Sequence, residues 1–237
     1  MTRSQVFSVS FIETCILLFF CCALVVSWYP GEYFSVFYME VKITALVVTC
    51  LLVGPFLSAL IYKKQRLQFV NDLSVIFILK LITIFLALFL FYSQRPLLSV
   101  FAVDRVVIVQ AHQLLKNDVP PNVAEFISSS NEPPLIAARL INSENLELIM
   151  AVLSGAPDIE FRPGLYERFE FQRDNIVVAS AKWLSEDKRD WLRNNTVWND
   201  ESEQIPLPLI YGNGQYALGL VDLVAGKVVR IIDVNPW

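Results

Sequence analysis

The sequence contains a single histidine, His112, which excludes a metal site built from several imidazoles. A Ser-His-Asp triad would have to use that histidine, and no G-x-S-x-G elbow accompanies it. The four cysteines, Cys15, Cys21, Cys22 and Cys50, all precede residue 51, so the rest of the chain has neither a disulfide nor a thiolate cluster to rely on. No phosphate-binding loop or dinucleotide fingerprint occurs, and Gly212-Asn213-Gly214 reads as a hairpin turn. No cofactor is therefore expected. Charge is scarce too: 18% of residues are charged against 55% hydrophobic, a balance too apolar for an ordinary soluble domain.

The charges that are present divide unevenly. Residues 1–96 carry seven Lys/Arg against four Asp/Glu, a net of +3, while residues 97–237 carry twelve against nineteen, a net of −7. The acidic part has no basic patch with which to neutralise phosphates, so nucleic acid is not an expected partner.

Three long apolar runs fill the first part. They span about residues 7–28, 41–62 and 73–92, each long enough for a helix to cross the hydrocarbon core of a lipid bilayer. The first ends in Ser27-Trp28-Tyr29-Pro30-Gly31, which reads as an interfacial aromatic belt and a turn rather than a signal-peptide cleavage site. Residues 29–40 read as a short loop. Between the second and third runs stands Lys63-Lys64-Gln65-Arg66, and by the positive-inside rule that loop is cytoplasmic. Arg3 puts the N-terminus on the same side, so three crossings leave residues 97–237 outside.

The outer part predicts an α+β domain with an antiparallel sheet and helices. Leu98–Val109 reads as one strand, and residues 122–130 and 134–154 as helical or mixed, with the clearest apolar face at 144–153. Residues 155–163 read as loop, 164–171 as a short helix or strand, 176–192 as a helix and 194–204 as an exposed loop. The runs 208–211, 217–223 and 228–234, separated by Gly-rich turns, predict an antiparallel meander.

The order of several short motifs resembles a known family. Trp28-Tyr29-Pro30, Gly54-Pro55, the basic loop, Asp72, Arg95-Pro96 and Phe101-Ala102-Val103-Asp104-Arg105 follow one another as in the TfpX/TfpZ type IV pilin accessory proteins. The Val221–Leu223 hairpin segment and Pro236-Trp237 are similar as well. The resemblance is best over residues 25–110. In the third run the chain departs from the family pattern, with Lys80 in a Leu/Phe run where that pattern carries an amide and a Tyr-Gly pair. The resemblance implies a bacterial inner-membrane protein with a cytoplasmic N-terminus and a periplasmic C-terminal domain. It implies a chaperone-like, non-enzymatic factor of type IV pilus (fimbrium) biogenesis that binds, stabilises or presents a cognate pilin. It also implies that the partner brings a glutamate near the cytoplasmic start of its own membrane helix.

Four residues are candidates for partner binding. Glu13 and Lys80 lie inside apolar runs, where each charge costs roughly 2.5–3.5 kcal/mol at a helix centre unless it is paired or snorkels. One reading pairs them in a three-helix bundle; the other has Lys80 neutralise the pilin glutamate. Gly54-Pro55 either permits close helix packing or kinks the second helix and opens a groove. Asp72 reads as a helix N-cap, Arg95-Pro96 as an interfacial anchor and helix stop, and Asp104-Arg105 as a surface pair. The alternative function is a membrane-anchored enzyme modifying pilin or envelope substrates, with His112 and the loop carboxylates Asp158 and Glu160 as its acid-base groups. Acidic loops are more simply solvated. Trp183, Trp191, Trp198, Trp237, Tyr166 and Phe169 form either core or a contact face.

Overall fold

The computed structural model describes residues 3–61, 69–114, 119–130, 132–139, 150, 153–196, 198, 204–212 and 214–237. The chain divides into two compact units, Met1–Ser93 and Gln94–Trp237.

The first unit is helical. Helix α1 covers Arg3–Trp28, and a short α2 (Glu32–Val36) follows. The second long helix is α3 (Met39–Leu51), a π-helical turn (Leu52–Phe56) and α4 (Leu57–Ile61) in succession; the third is α5 (Phe69–Gln94). All three are long and apolar enough to cross a membrane. The segment expected as a loop at 29–40 is largely helical, and Tyr38 makes its reversal with a left-handed backbone, φ 52°. Proline explains the π-turn. Pro55 has no N–H and its ring would strike the carbonyl four residues back, so the helix widens there instead of breaking.

Each helix turns one narrow stripe inward. On α1 the buried residues are Val6, Ser10, Thr14, Leu18, Cys21 and Val25, at helical spacing. On α5, Ile76, Lys80, Ile84 and Phe91 are buried on one stripe. The other faces carry exposed Phe19, Phe20, Phe85 and Leu60, large apolar groups that call for lipid rather than water. Tyr29 faces the protein interior. It is buried, its hydroxyl donates to the Phe91 carbonyl at 2.8 Å, and its ring meets Phe37; beside it Trp28 packs edge-on against Tyr92. Asp72 lies inside α5, three residues after the first described residue of that helix, so it is not the cap.

The second unit holds a seven-stranded sheet. Its strands are β1 (Pro96–Ala102), β2 (Arg105–Gln110), β3 (Leu135–Ala138), β4 (Tyr166–Arg168), β5 (Gln204–Tyr211), β6 (Gln215–Asp222) and β7 (Lys227–Ile232). The spatial order is β4-β3-β1-β2-β5-β6-β7. The sheet is mixed, not antiparallel as expected: β1 runs parallel to β3, and β2 parallel to β5. The β5-β6-β7 meander is antiparallel throughout. Among the described residues the unit also has helices α6 (Pro121–Ser129), α7 (Arg173–Trp183) and α8 (Glu186–Asn195), with 3-10 turns at Ile159–Phe161, Pro163–Leu165 and Phe169–Gln172.

Several expectations need correction. The single strand at 98–109 is two strands, β1 and β2, joined through Val103-Asp104. Leu135–Ala138, expected as helical or mixed, is strand. The helix expected at 176–192 is two, because the chain turns at Leu184-Ser185 before Glu186 and Asp187 open α8. Trp198, in the segment expected as exposed loop, is buried with its indole N–H donating to the Gln204 carbonyl. The apolar stretch 144–153 lies almost wholly outside the described residues.

The sheet curls back on itself. Lys227 at the start of β7 bridges to Pro134, and the Leu135 N–H donates to the Gly226 carbonyl at 2.8 Å. Gly226 permits this approach: its φ is 62°, and a Cβ there would sit 2.7 Å from the Phe169 ring.

The β1–β2 turn is strained. Asp104 N–H donates to the Ala102 carbonyl at 2.8 Å across Val103, whose φ is 62°. A β-branched residue in that region is a genuine outlier, costing on the order of 1–3 kcal/mol. Val103→Gly is therefore expected to stabilise the protein by about 1 kcal/mol, after the glycine's greater unfolded-state entropy is subtracted. Thermal unfolding checks it; a lowered transition would contradict the strain.

Candidate functional site

The inward stripes of the first unit meet at a polar cluster. Lys80, in mid-stripe on α5, is 1% exposed. Its Nζ donates to Glu13 Oε1 at 2.8 Å and to Thr14 Oγ1 at 3.4 Å. Thr14 in turn donates to the Ser10 carbonyl, Ser58 to the Gly54 carbonyl, and the Ser10 and Ser58 hydroxyls lie 3.4 Å apart. Each hydroxyl has a partner, as an apolar surrounding demands.

Gly54 makes the cluster sterically feasible. A Cβ on it would stand 2.8 Å from Thr14 Oγ1 and 3.4 Å from Lys80 Cδ. The structure thus brings together Glu13, Lys80 and Gly54, and Pro55 is buried in the π-turn beside Gly54. Ser10, Thr14 and Ser58 escaped the sequence reading. Their signal was a four-residue spacing of small polar residues on α1, matched by Gly54 and Ser58 on the second helix.

Glu13 differs from its partner. It stands one residue before Thr14, at the edge of the stripe, and its side chain remains 40% exposed. Only Oε1 meets the ammonium; Oε2 has no hydrogen-bond partner among the described residues. The carboxylate opens into a cleft of about 420 Å³ between α1 and α5, walled by Val6, Val9, Phe77 and Ile78 and floored by Ser10 and Lys80.

The remaining motif residues lie elsewhere. Trp28 and Tyr29 clasp the ends of α1 and α5, and Pro30 follows in the turn before α2. Arg95 precedes β1, and Pro96 is its first residue, where a missing N–H is tolerated. Asp104 and Arg105 are not merely a surface pair. Arg105 also reaches Glu160 at 3.6 Å, and that carboxylate is buried rather than solvated as expected. Beside it, burial and then the Glu160 charge push the Tyr166 phenol up from its ordinary value, while its hydroxyl donates to the Glu160 carbonyl. His112 is exposed in the turn after β2, and Asp158 precedes the Ile159–Phe161 turn. The aromatics divide: Tyr166, Phe169 and Trp198 are core, whereas Trp191 and Trp237 are exposed.

The fold and cluster define a class: three helices long and apolar enough to cross a membrane, joined to an α+β unit with a mixed sheet. No family model, curated protein or solved structure matches the chain.

Two outcomes follow from this geometry. Gly54→Ala is expected to destabilise the helical unit by about 1–3 kcal/mol through overpacking, and Thr14→Ala in the same chain to restore much of the loss. Thermal unfolding of the full chain in detergent decides; a double variant no better than Gly54→Ala would remove Thr14 as the obstacle. Lys80→Met is expected to cost about 3 kcal/mol by stranding Glu13, discounted for that carboxylate's exposure, while Lys80→Met with Glu13→Leu recovers most of it. A purely additive cycle would contradict the coupling.

Proposed function

We propose that the chain is a non-catalytic accessory factor of type IV pilus biogenesis that receives the apolar stem of a cognate pilin in the bacterial inner membrane. In this reading the N-terminus is cytoplasmic and the second unit periplasmic. The observation that carries it is the α1–α5 cleft, apolar at its walls and ending at a half-open Glu13 carboxylate over a buried Lys80. An apolar stem cannot stand in water, and a second helix laid in the cleft covers apolar surface on both partners. The order of the sequence motifs, which resembles that of the TfpX/TfpZ proteins, supports a pilin as the guest.

The chemistry of the pair suits an exchange. Lys80 is fixed in the seam by Thr14, so its position does not depend on Glu13 alone. Glu13 is at the edge, so a carboxylate on an incoming helix takes the ammonium as Glu13 turns outward. The lysine then stabilises the guest's carboxylate, and the separated Glu13 carries a cost that its position at the exposed edge reduces.

A photoreactive residue at Ile78, exposed on the cleft wall, should yield an adduct with the pilin in cells that express it. The same residue at Leu60, exposed on α4 outside the cleft, should yield none. Adducts of equal strength at both positions, or a pilin adduct at neither, would overturn the reading.

A further inference from the structure

We infer that the second unit carries a binding site for an acidic peptide segment, one that places carboxylates beside apolar or aromatic side chains. The site is a cleft of about 870 Å³ bounded by Phe101, Val103, Trp183 and Trp237, with Lys182 and Lys188 on its α7–α8 side. That volume falls in the range of ligand sites. This inference does not depend on the membrane cleft or on the pilin reading.

Charge is the first argument. Residues 97–237 carry a net of −7, yet neither lysine in this cleft has a carboxylate within ion-pairing reach among the described residues. Lys188 donates to the Pro236 carbonyl at 3.1 Å and lies 4.2 Å from the centre of the Trp183 ring, so its ammonium is held in place with its charge uncompensated. Trp183 is fixed as well, its indole N–H donating to the same carbonyl at 3.0 Å. Lys182 has no protein partner among the described residues. Asp104 also lines this wall and shares Arg105 with Glu160, at 3.7 and 3.6 Å, so one exposed carboxylate stands against the two lysines and the cleft keeps an excess of positive charge. A cationic spot preorganised over an aromatic floor, inside an acidic domain, selects an anionic guest.

Strain is the second argument, and it is independent. Val103 holds a left-handed backbone and still exposes 56% of its surface on the cleft wall. Both conditions are unfavourable in the free protein, and Gly at this turn would relieve them. A covering ligand turns the second into a gain, since the valine methyls then leave water. An extended acidic segment meets both needs at once: apolar side chains over Val103 and Trp183, and carboxylates to the two ammonium groups.

Fluorescence anisotropy on the full chain in neutral detergent tests the site. The probe is a labelled hexapeptide with two glutamates between phenylalanines and an amidated C-terminus; its twin carries glutamines. The acidic peptide should bind at low salt, and the glutamine twin about tenfold more weakly. Lys182→Gln, at an exposed residue whose loss breaks no internal bond, should weaken the acidic peptide severalfold and leave the twin unaffected. Lys182→Gln with Lys188→Gln should abolish the preference between the two peptides. No binding of the acidic peptide, equal binding of both, or a preference untouched by Lys182→Gln would each overturn the inference. Unchanged thermal unfolding of Lys182→Gln confirms that a lost preference reports binding.

Discussion

A buried ammonium governs the helical unit. Lys80 falls on the same stripe as Ile76 and Ile84, so helix packing carries it inward whatever its charge prefers. Once there it requires acceptors, and α1 supplies Glu13 and Thr14. Its four-carbon stem requires room, and Gly54 supplies that by presenting no Cβ. The hydroxyls of Ser10, Thr14 and Ser58 then satisfy carbonyls and one another, leaving no polar side chain of the cluster idle except one carboxylate oxygen. The π-turn at Pro55 belongs to the same arrangement, since it keeps the second helix continuous where Gly54 must touch both neighbours.

The sheet unit is organised by a different constraint, the closing of a curled sheet. Gly226 and Lys227 reach across to Pro134 and Leu135, so strands far apart in the sheet order are tied at one end. Free edges are kept short or charged. β4 has three residues, and β7 carries Lys227, engaged with Glu132 at 2.7 Å, and Arg230. Phe169 is the hinge of the arrangement. Its ring fills the space that a side chain at position 226 would need, so burial of the aromatic and the glycine's positive φ depend on each other.

What could be read from the sequence follows from what each signal measures. Three apolar runs give three helices because length and hydropathy suffice for that inference; the first ends at Trp28 as expected, and the other described boundaries differ by a few residues at most. The meander β5-β6-β7 was legible through its glycine turns. The β1–β2 hairpin was not, because both strands are buried on both faces and lose the alternation that marks a turn between them. Its turn residue is a valine, the side chain least suited to φ 62°, so turn chemistry was hidden as well. The parallel pairings of β1 with β3 and β2 with β5 join segments far apart in the chain, which local patterns do not report. Glu160 looked like an ordinary loop acid; only the fold reveals that Arg105 draws it inside. Lys80 and Glu13 stood out by charge, and their pairing was one of the two sequence readings; the structure shows that pair, and stripe geometry adds which is at the centre and which at the edge.

That asymmetry bears on why the pair exists at all. Apolar residues of matching volume in place of a buried ion pair are often neutral or stabilising, so cohesion of three apolar helices does not call for Lys80 and Glu13. Nor does satisfaction of neighbouring hydroxyls, which bond to carbonyls of their own helices. A pair made for structure has both charges closed off, or one of them reaching toward the interface. Here the ammonium is sealed and the carboxylate is left with one oxygen open to a cleft between apolar walls. The unequal exposure separates the two groups: the lysine is fixed in the seam, and the glutamate stands at the cleft edge. The proposed function rests on that inequality, which a guest helix bringing its own carboxylate would complete.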